Sequence, residues 1–100
     1  MLIQTTEVFG KWLRGLRDRQ AKAKIAARLE NVQQGNLGDC RAVGKDVAEM
    51  RIHYGPGYRI YFIRSGTEII VLLGGGTKKT QNKDIEHALE TAGEVRAWLR

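Results

Sequence analysis

One stretch restricts the fold of this 100-residue chain more than any other, Glu49 to Arg64, which reads EMRIHYGPGYRIYFIR. Two runs rich in β-branched and aromatic residues flank Gly55-Pro56-Gly57. Glycine tolerates positive φ and proline fixes its own φ, so the segment predicts a β-hairpin that reverses in a three-residue loop. Pairing Tyr54 with Tyr58 and applying the two-residue period of a strand places Met50, Ile52, Tyr54, Tyr58, Ile60 and Phe62 on one face. The other face carries Arg51, His53, Arg59 and Tyr61, with His53 opposite Arg59 and Arg51 opposite Tyr61. One face is suited to burial, and the other gathers cations and rings.

The rest of the chain supplies partners for that hairpin. Met1 to Thr5 predicts a short strand, and Thr5 or Thr6 can cap a helix with Glu7 in its first turn, where the helix dipole favours an acid. Val8, Phe9, Trp12, Leu13 and Leu16 then recur at spacings of three and four, the apolar stripe of a packed helix. Asp18 predicts the cap of a second helix, striped by Ala21, Ile25, Leu29 and Val32 and ended by Gly35 as a left-handed cap. This helical hairpin should cover the apolar face of the sheet. A short strand from Cys40 to Val43, a turn at Gly44-Lys45-Asp46 and the strand from Val47 lead into the central hairpin. Ser65-Gly66-Thr67 turns the chain into Ile69 to Leu73, apolar on both faces and so a central strand covered at least in part on both sides. Gly74-Gly75-Gly76 should end that strand and free the backbone to approach a ligand. Thr80 or Asn82 can cap a last helix, packed through Ile85, Leu89, Ala92, Val95 and Leu99, with Trp98 beside them.

Strand, two helices, three or four antiparallel strands and a helix make an α+β fold, with an N-terminal strand and a helical hairpin packed on one sheet. The length suits a single domain spanning residues 1–100. No apolar run reaches the length of a membrane span, and the N-terminus lacks the order of a signal peptide, so the expected location is the cytoplasm. Cys40 stands alone, without a disulfide partner or a thiolate cluster for zinc, and the two histidines have no local metal-ligand spacing. No metal, small-molecule cofactor or membrane partner is expected.

Charge is distributed unevenly. Lys11, Arg14, Arg17, Arg19, Lys22, Lys24 and Arg28 face only Asp18 between residues 11 and 28, so this segment alone carries a charge equal to the +6 of the whole chain. Such asymmetry points to a polyanion or to an acidic protein partner. The lysines of Thr77-Lys78-Lys79-Thr80 leave the strand level with the cationic hairpin face. GGGTKKT lacks the spacing of a P-loop, which excludes that mode of nucleotide binding. Metal-free RNA cleavage needs help for the attacking 2′-hydroxyl, cations for the charge developing on phosphate, and a donor to the leaving oxygen. Arg51, Arg59, Lys78 and Lys79 fit the phosphate roles, and His53 or one of the lysines is a candidate base. Tyr54 and Tyr61 offer rings on which a base can stack, and Lys22 and Arg28 offer cations on the helical hairpin that can rest on RNA.

Glu49-Met50-Arg51, Gly55-Pro56-Gly57-Tyr58-Arg59-Ile60-Tyr61-Phe62, Leu72-Leu73 followed by glycines, Lys78-Lys79 and the helix start at Gln81-Asn82-Lys83-Asp84-Ile85 resemble the RelE/HigB superfamily. The nearest resemblance is to its phage-derived addiction module killer branch, and Thr5-Thr6-Glu7-Val8-Phe9 with Trp12-Leu13 extends it over essentially the whole chain. The resemblance implies a RelE/ParE-like fold and a type II toxin that cleaves mRNA, typically on the ribosome. It also implies a cognate antitoxin, usually a helix-turn-helix protein. By position it gives Arg59 the scissile phosphate, Arg51 a place beside it, and Lys78 or Lys79 the basic site after the last strand. Glu49 stands where RelE carries a catalytic lysine, and no tyrosine matches the one near the start of its last helix. A ParE-like inhibitor of DNA gyrase and a binding module without activity share the fold and remain alternatives.

Overall fold

A computed structural model describes residues 1–99. Five strands, β1 (Leu2–Thr5), β2 (Cys40–Gly44), β3 (Val47–Ile52), β4 (Tyr58–Ser65) and β5 (Ile69–Thr77), form one sheet in the order β1-β5-β4-β3-β2. Strands β2 to β5 are an antiparallel meander, and β1 runs parallel to β5 at the far edge. Helices α1 (Glu7–Gly15) and α2 (Arg19–Gln33) cover one face, and α3 (Gln81–Trp98) covers part of the other. The predicted α+β architecture with its N-terminal helical hairpin and C-terminal helix is the one observed.

The ends of α1 and α2 follow the sequence chemistry, whereas Thr80 stands at the N-cap of α3 without a side-chain cap hydrogen bond. Thr6 accepts from the Phe9 amide at 3.2 Å, and Asp18 accepts from Gln20 and Ala21 at 2.9 and 3.2 Å. Beyond α2, the Gly35 and Asn36 amides donate to Val32 and Asn31, a Schellman ending that needs the positive φ of Gly35. Under α1 and α2 lie Met50, Ile52, Tyr58, Ile60, Phe62, Ile70 and Leu72, together with Phe9, Ile25 and Val32. Val47, Tyr61, Ile63, Val71 and Leu73 pack on the opposite face against Ala88 and Ala92 of α3. The apolar run in β5 is therefore buried from both sides.

Three local expectations are corrected. The hairpin turns through five residues, not three, because the Gly57 amide donates to the Tyr54 carbonyl at 3.0 Å, closing a turn around Gly55 and Pro56. Tyr58 then pairs with Ile52 and Arg59 with Arg51. A slip of two residues preserves every strand residue's face while changing its partner. Strand β5 continues through Gly74, Gly75 and Gly76, which pair with Tyr61, Ile60 and Arg59. A Cβ on Gly75 would lie 2.4 Å from the Trp12 ring, and one on Gly76 would lie 1.8 Å from Asp84, so these glycines admit the chain's own side chains, not a ligand. Finally, Trp98 lies 87% exposed, and Leu99, expected in the packing stripe of α3, follows the helix and is exposed as well.

Candidate active site

The α3 face of the sheet is built in rows. Arg41 of β2, Glu49 of β3 and Tyr61 of β4 pair in one row, and Arg51 of β3 and Arg59 of β4 pair in the next, with Gly76 beyond. Helix α3 lies over Tyr61 and leaves the arginine row at its N-terminal end. Two arginines directly opposite one another repel, and an acid near each offsets this. Arg51 donates to Asp39 at 2.8 Å, whereas Arg59 Nε lies 3.9 Å from Glu49.

Arg59 and Glu49 are the two buried charged residues among those described. The Nη1 group of Arg59 donates to the Gly57 carbonyl at 3.1 Å, and its Nε is buried without a hydrogen bond. Among the described residues, Nη2 has no hydrogen-bond partner. The same Gly57 carbonyl accepts from the Lys78 amide at 2.8 Å, which brings the start of the lysine segment beside the arginine. Gly57 has φ +80°, and a Cβ there would come within 3.2 Å of Arg59 Nη1. Lys78–Thr80 form a single 3-10 turn running straight into α3, and Lys78 and Lys79 are exposed. They line a shallow pocket of about 400 Å³ with Thr80, Gln81, Asn82 and Lys83. A larger cavity of about 760 Å³ lies near the β4–β5 turn, beside Phe62, Arg64 and Gly66, and contains none of these cations except Arg41.

The other predicted site residues are distributed more widely. His53 does not face Arg59; it lies beyond the end of β3, exposed, with Nε2 2.6 Å from Asp39. Because a carboxylate only accepts, Nε2 carries the proton in this contact and Nδ1 is the nitrogen left to act. Arg51 and His53 hold the Asp39 carboxyl at about 2, below its ordinary 3.8, Arg51 contributing most. Tyr61 was expected on the open face and is instead fully buried beneath α3, its hydroxyl without a partner. Burial, with the charges of Glu49 and Asp84, raises that hydroxyl's pKa far above the usual tyrosine value. Its ring has no open side on which a base can stack.

Tyr54 is half-buried, and its hydroxyl donates toward Asp18 at 3.0 Å and Gln20 at 2.9 Å. Lys24 sits 5.2 Å over its ring. Arg28, expected to meet substrate, is committed to the fold, donating to the carbonyls of Leu37, Asp39 and Arg51 at 2.9, 2.7 and 2.8 Å. Gly38 makes room for it, since a Cβ there would lie 2.8 Å from Arg28 Nε. Lys22 lies on the other face of the molecule in the α1–α2 groove, with Nζ 3.5 Å from the Arg14 carbonyl. The structure thus brings Arg51, Arg59 and the Lys78-Lys79 turn to one end of the sheet, and leaves Tyr54, Lys22 and Arg28 with the helical hairpin.

Glu49 is the residue whose part was missed. Both its oxygens accept from Gln81 Nε2, at 3.1 and 3.0 Å, and Arg41 reaches it at 3.3 Å. Counting back through the Gly44-Lys45-Asp46 turn would have set Arg41 against Glu49, a signal available in the sequence.

This geometry defines a small RelE-like α+β domain. The fold superposes with a TM-score of 0.61 on a chain of the crystal structure of the intact E. coli RelBE toxin-antitoxin complex, covering 76% of this chain and 94% of that one at 15% identity. Residues 11–96 match the family of phage-derived Gp49-like proteins, and the chain belongs to that family. A protein of Haemophilus influenzae, described only as uncharacterized, is 44% identical over 93 residues, covering 93% of this chain and 94% of its own. The resemblance read from the motifs is in accord with these relatives.

Proposed function

We propose that this chain is the toxin of a type II toxin-antitoxin pair and a metal-independent endoribonuclease that cleaves mRNA on the ribosome by attack of the 2′-hydroxyl. The observation that carries this reading is Arg59, bonded to a backbone carbonyl, set beside a buried carboxylate and with no partner for Nη2 among the described residues, next to a turn bearing two exposed lysines. A guanidinium so held suits a phosphate oxygen whose charge grows in the transition state, because little reorganisation remains to be done. Arg51 adds positive potential from the opposing strand, and Lys78 or Lys79 protonates the leaving oxygen or assists the attacking hydroxyl. The basic outer surface of α1 and α2 favours approach to ribosomal RNA. The partner in the cell is a cognate antitoxin, of helix-turn-helix type by the resemblance, and the toxin acts in the cytoplasm, where translated mRNA is found.

The test is induction of the chain alone, followed by mapping of mRNA 5′ ends. New cuts within translated frames, absent for Arg59→Ala, are expected. Growth arrest with DNA-damage signalling and no such cuts would establish a gyrase inhibitor instead, and a phenotype unchanged in Arg59→Ala would establish a binding module.

A further inference from the structure

We infer that Glu49 is the positioning residue of this site, setting the spacing between Arg59 and the lysine turn. The inference rests on the reading of Arg59 as the phosphate-holding group. A carboxylate removed from water is unfavourable unless paired, and apolar residues of similar volume often do better in its place. Glu49 is nonetheless fully buried on the sheet face where Val47, Tyr61, Ile63 and Leu73 pack.

Its contacts explain what the burial accomplishes. On one side Glu49 faces Arg59 Nε at 3.9 Å; on the other it accepts twice from Gln81, the first residue of α3, directly after the Lys78–Thr80 turn. The Gly57 carbonyl likewise takes Arg59 Nη1 and the Lys78 amide. The Gly57 carbonyl therefore hydrogen-bonds both the arginine and the lysine segment, while Glu49 bonds the first residue of α3 and sets its charge beside Arg59 without a hydrogen bond to it. Arg41, with a side chain 54% exposed, balances the remaining charge from the edge strand. Glu49 itself is wholly enclosed and acts through Arg59, not on the substrate.

The test combines a direct observation of Arg59 with kinetics. In ¹⁵N-labelled wild type, the Arg59 Nε–H resonance, assigned by its loss in Arg59→Lys, is expected to exchange slowly with water. In Glu49→Gln that exchange should accelerate about tenfold or more, and kcat for mRNA cleavage on ribosomes should fall about tenfold with KM within twofold, less than the loss for removing a direct donor. Gln81→Ala, at a half-exposed position, should move both quantities in the same direction by a smaller factor. A Glu49→Gln protein with a lowered Tm but wild-type Nε–H exchange and kcat would overturn the inference and leave Glu49 a structural residue. If Glu49→Gln does not fold, unchanged exchange in Gln81→Ala overturns it equally. Should wild type cut no mRNA, the nuclease reading fails, and the Nε–H exchange still decides whether Glu49 holds the arginine.

Discussion

Two acids on one face of the sheet do the same chemical job in opposite surroundings. Asp39 accepts from Arg51 and His53 at the open rim, where its side chain is 38% exposed, while Glu49 meets Arg59, Arg41 and Gln81 in full burial. At the rim, water competes with every partner and salt screens the charges, so such a pair contributes little and tolerates motion. Inside, no water replaces a lost partner, and each charge depends on the others for its position. The contrast separates an arginine that adds potential, Arg51, from one that is held in place, Arg59.

The largest effect should come from breaking the arginines separately. Arg59→Ala is expected to lower the rate of mRNA cleavage about 10²- to 10³-fold, as for loss of one preorganised donor. Arg51→Ala should cost about tenfold or less, because its Nη2 is already engaged at an exposed carboxylate. Equal losses in a single-turnover cleavage assay would erase the distinction. Removing the acids should show the same contrast in stability. Glu49→Ala leaves Arg59 without its carboxylate and should destabilise the fold by about 3 kcal/mol in urea unfolding, the cost of breaking a buried pair. Asp39→Ala should shift the same curve far less.

His53 sharpens the comparison from the rim side. A general base contributes about 10²- to 10⁴-fold, so His53→Ala should reduce cleavage by that factor only if Nδ1 takes a proton from the attacking hydroxyl. With His53 drawn to Asp39 and Arg51 occupying the place opposite Arg59, we expect a loss below about tenfold, measured on the same assay. A larger loss would restore the histidine as the base and bring the Asp39 cluster into the chemistry.

How far these roles were legible depends on how local their causes are. The two faces of the hairpin could be read because side-chain alternation survives a two-residue slip, and Met50, Ile60 and Phe62 lie buried as the pattern required. The register could not, because it turns on one backbone bond from Gly57 to Tyr54 that competes with ladder pairing. The expected environment of His53 failed with it. Tyr61 was misplaced for a tertiary reason, since small Ala88 and Ala92 let α3 pack closely on that face. The glycines of β5 look like a loop in one dimension; only the approach of Trp12 and Asp84 explains them. Arg28 reads as one cation in a basic run, and its three carbonyl partners lie in segments that the helix period does not connect.

The smallest expected effect is on acid stability, and its sign follows from Asp39 alone. Its carboxyl titrates at about 2 in the folded chain against an ordinary 3.8, because Arg51 and His53 bind the ionised form. A depressed folded-state value means that the unfolded chain takes up the proton first as pH falls. The stabilisation from the Asp39 cluster is therefore complete above about pH 4 and is lost as the pH falls toward 2. Asp39→Asn lacks that contribution at every pH, so the difference between the urea midpoints of wild type and variant should be greatest near neutrality and shrink across this interval. A difference independent of pH would mean that the rim carboxylate gains nothing from its two partners. In that case the contrast with Glu49 would be one of packing alone, since a charge whose ionisation leaves stability unchanged cannot be what holds Arg51 in the arginine row.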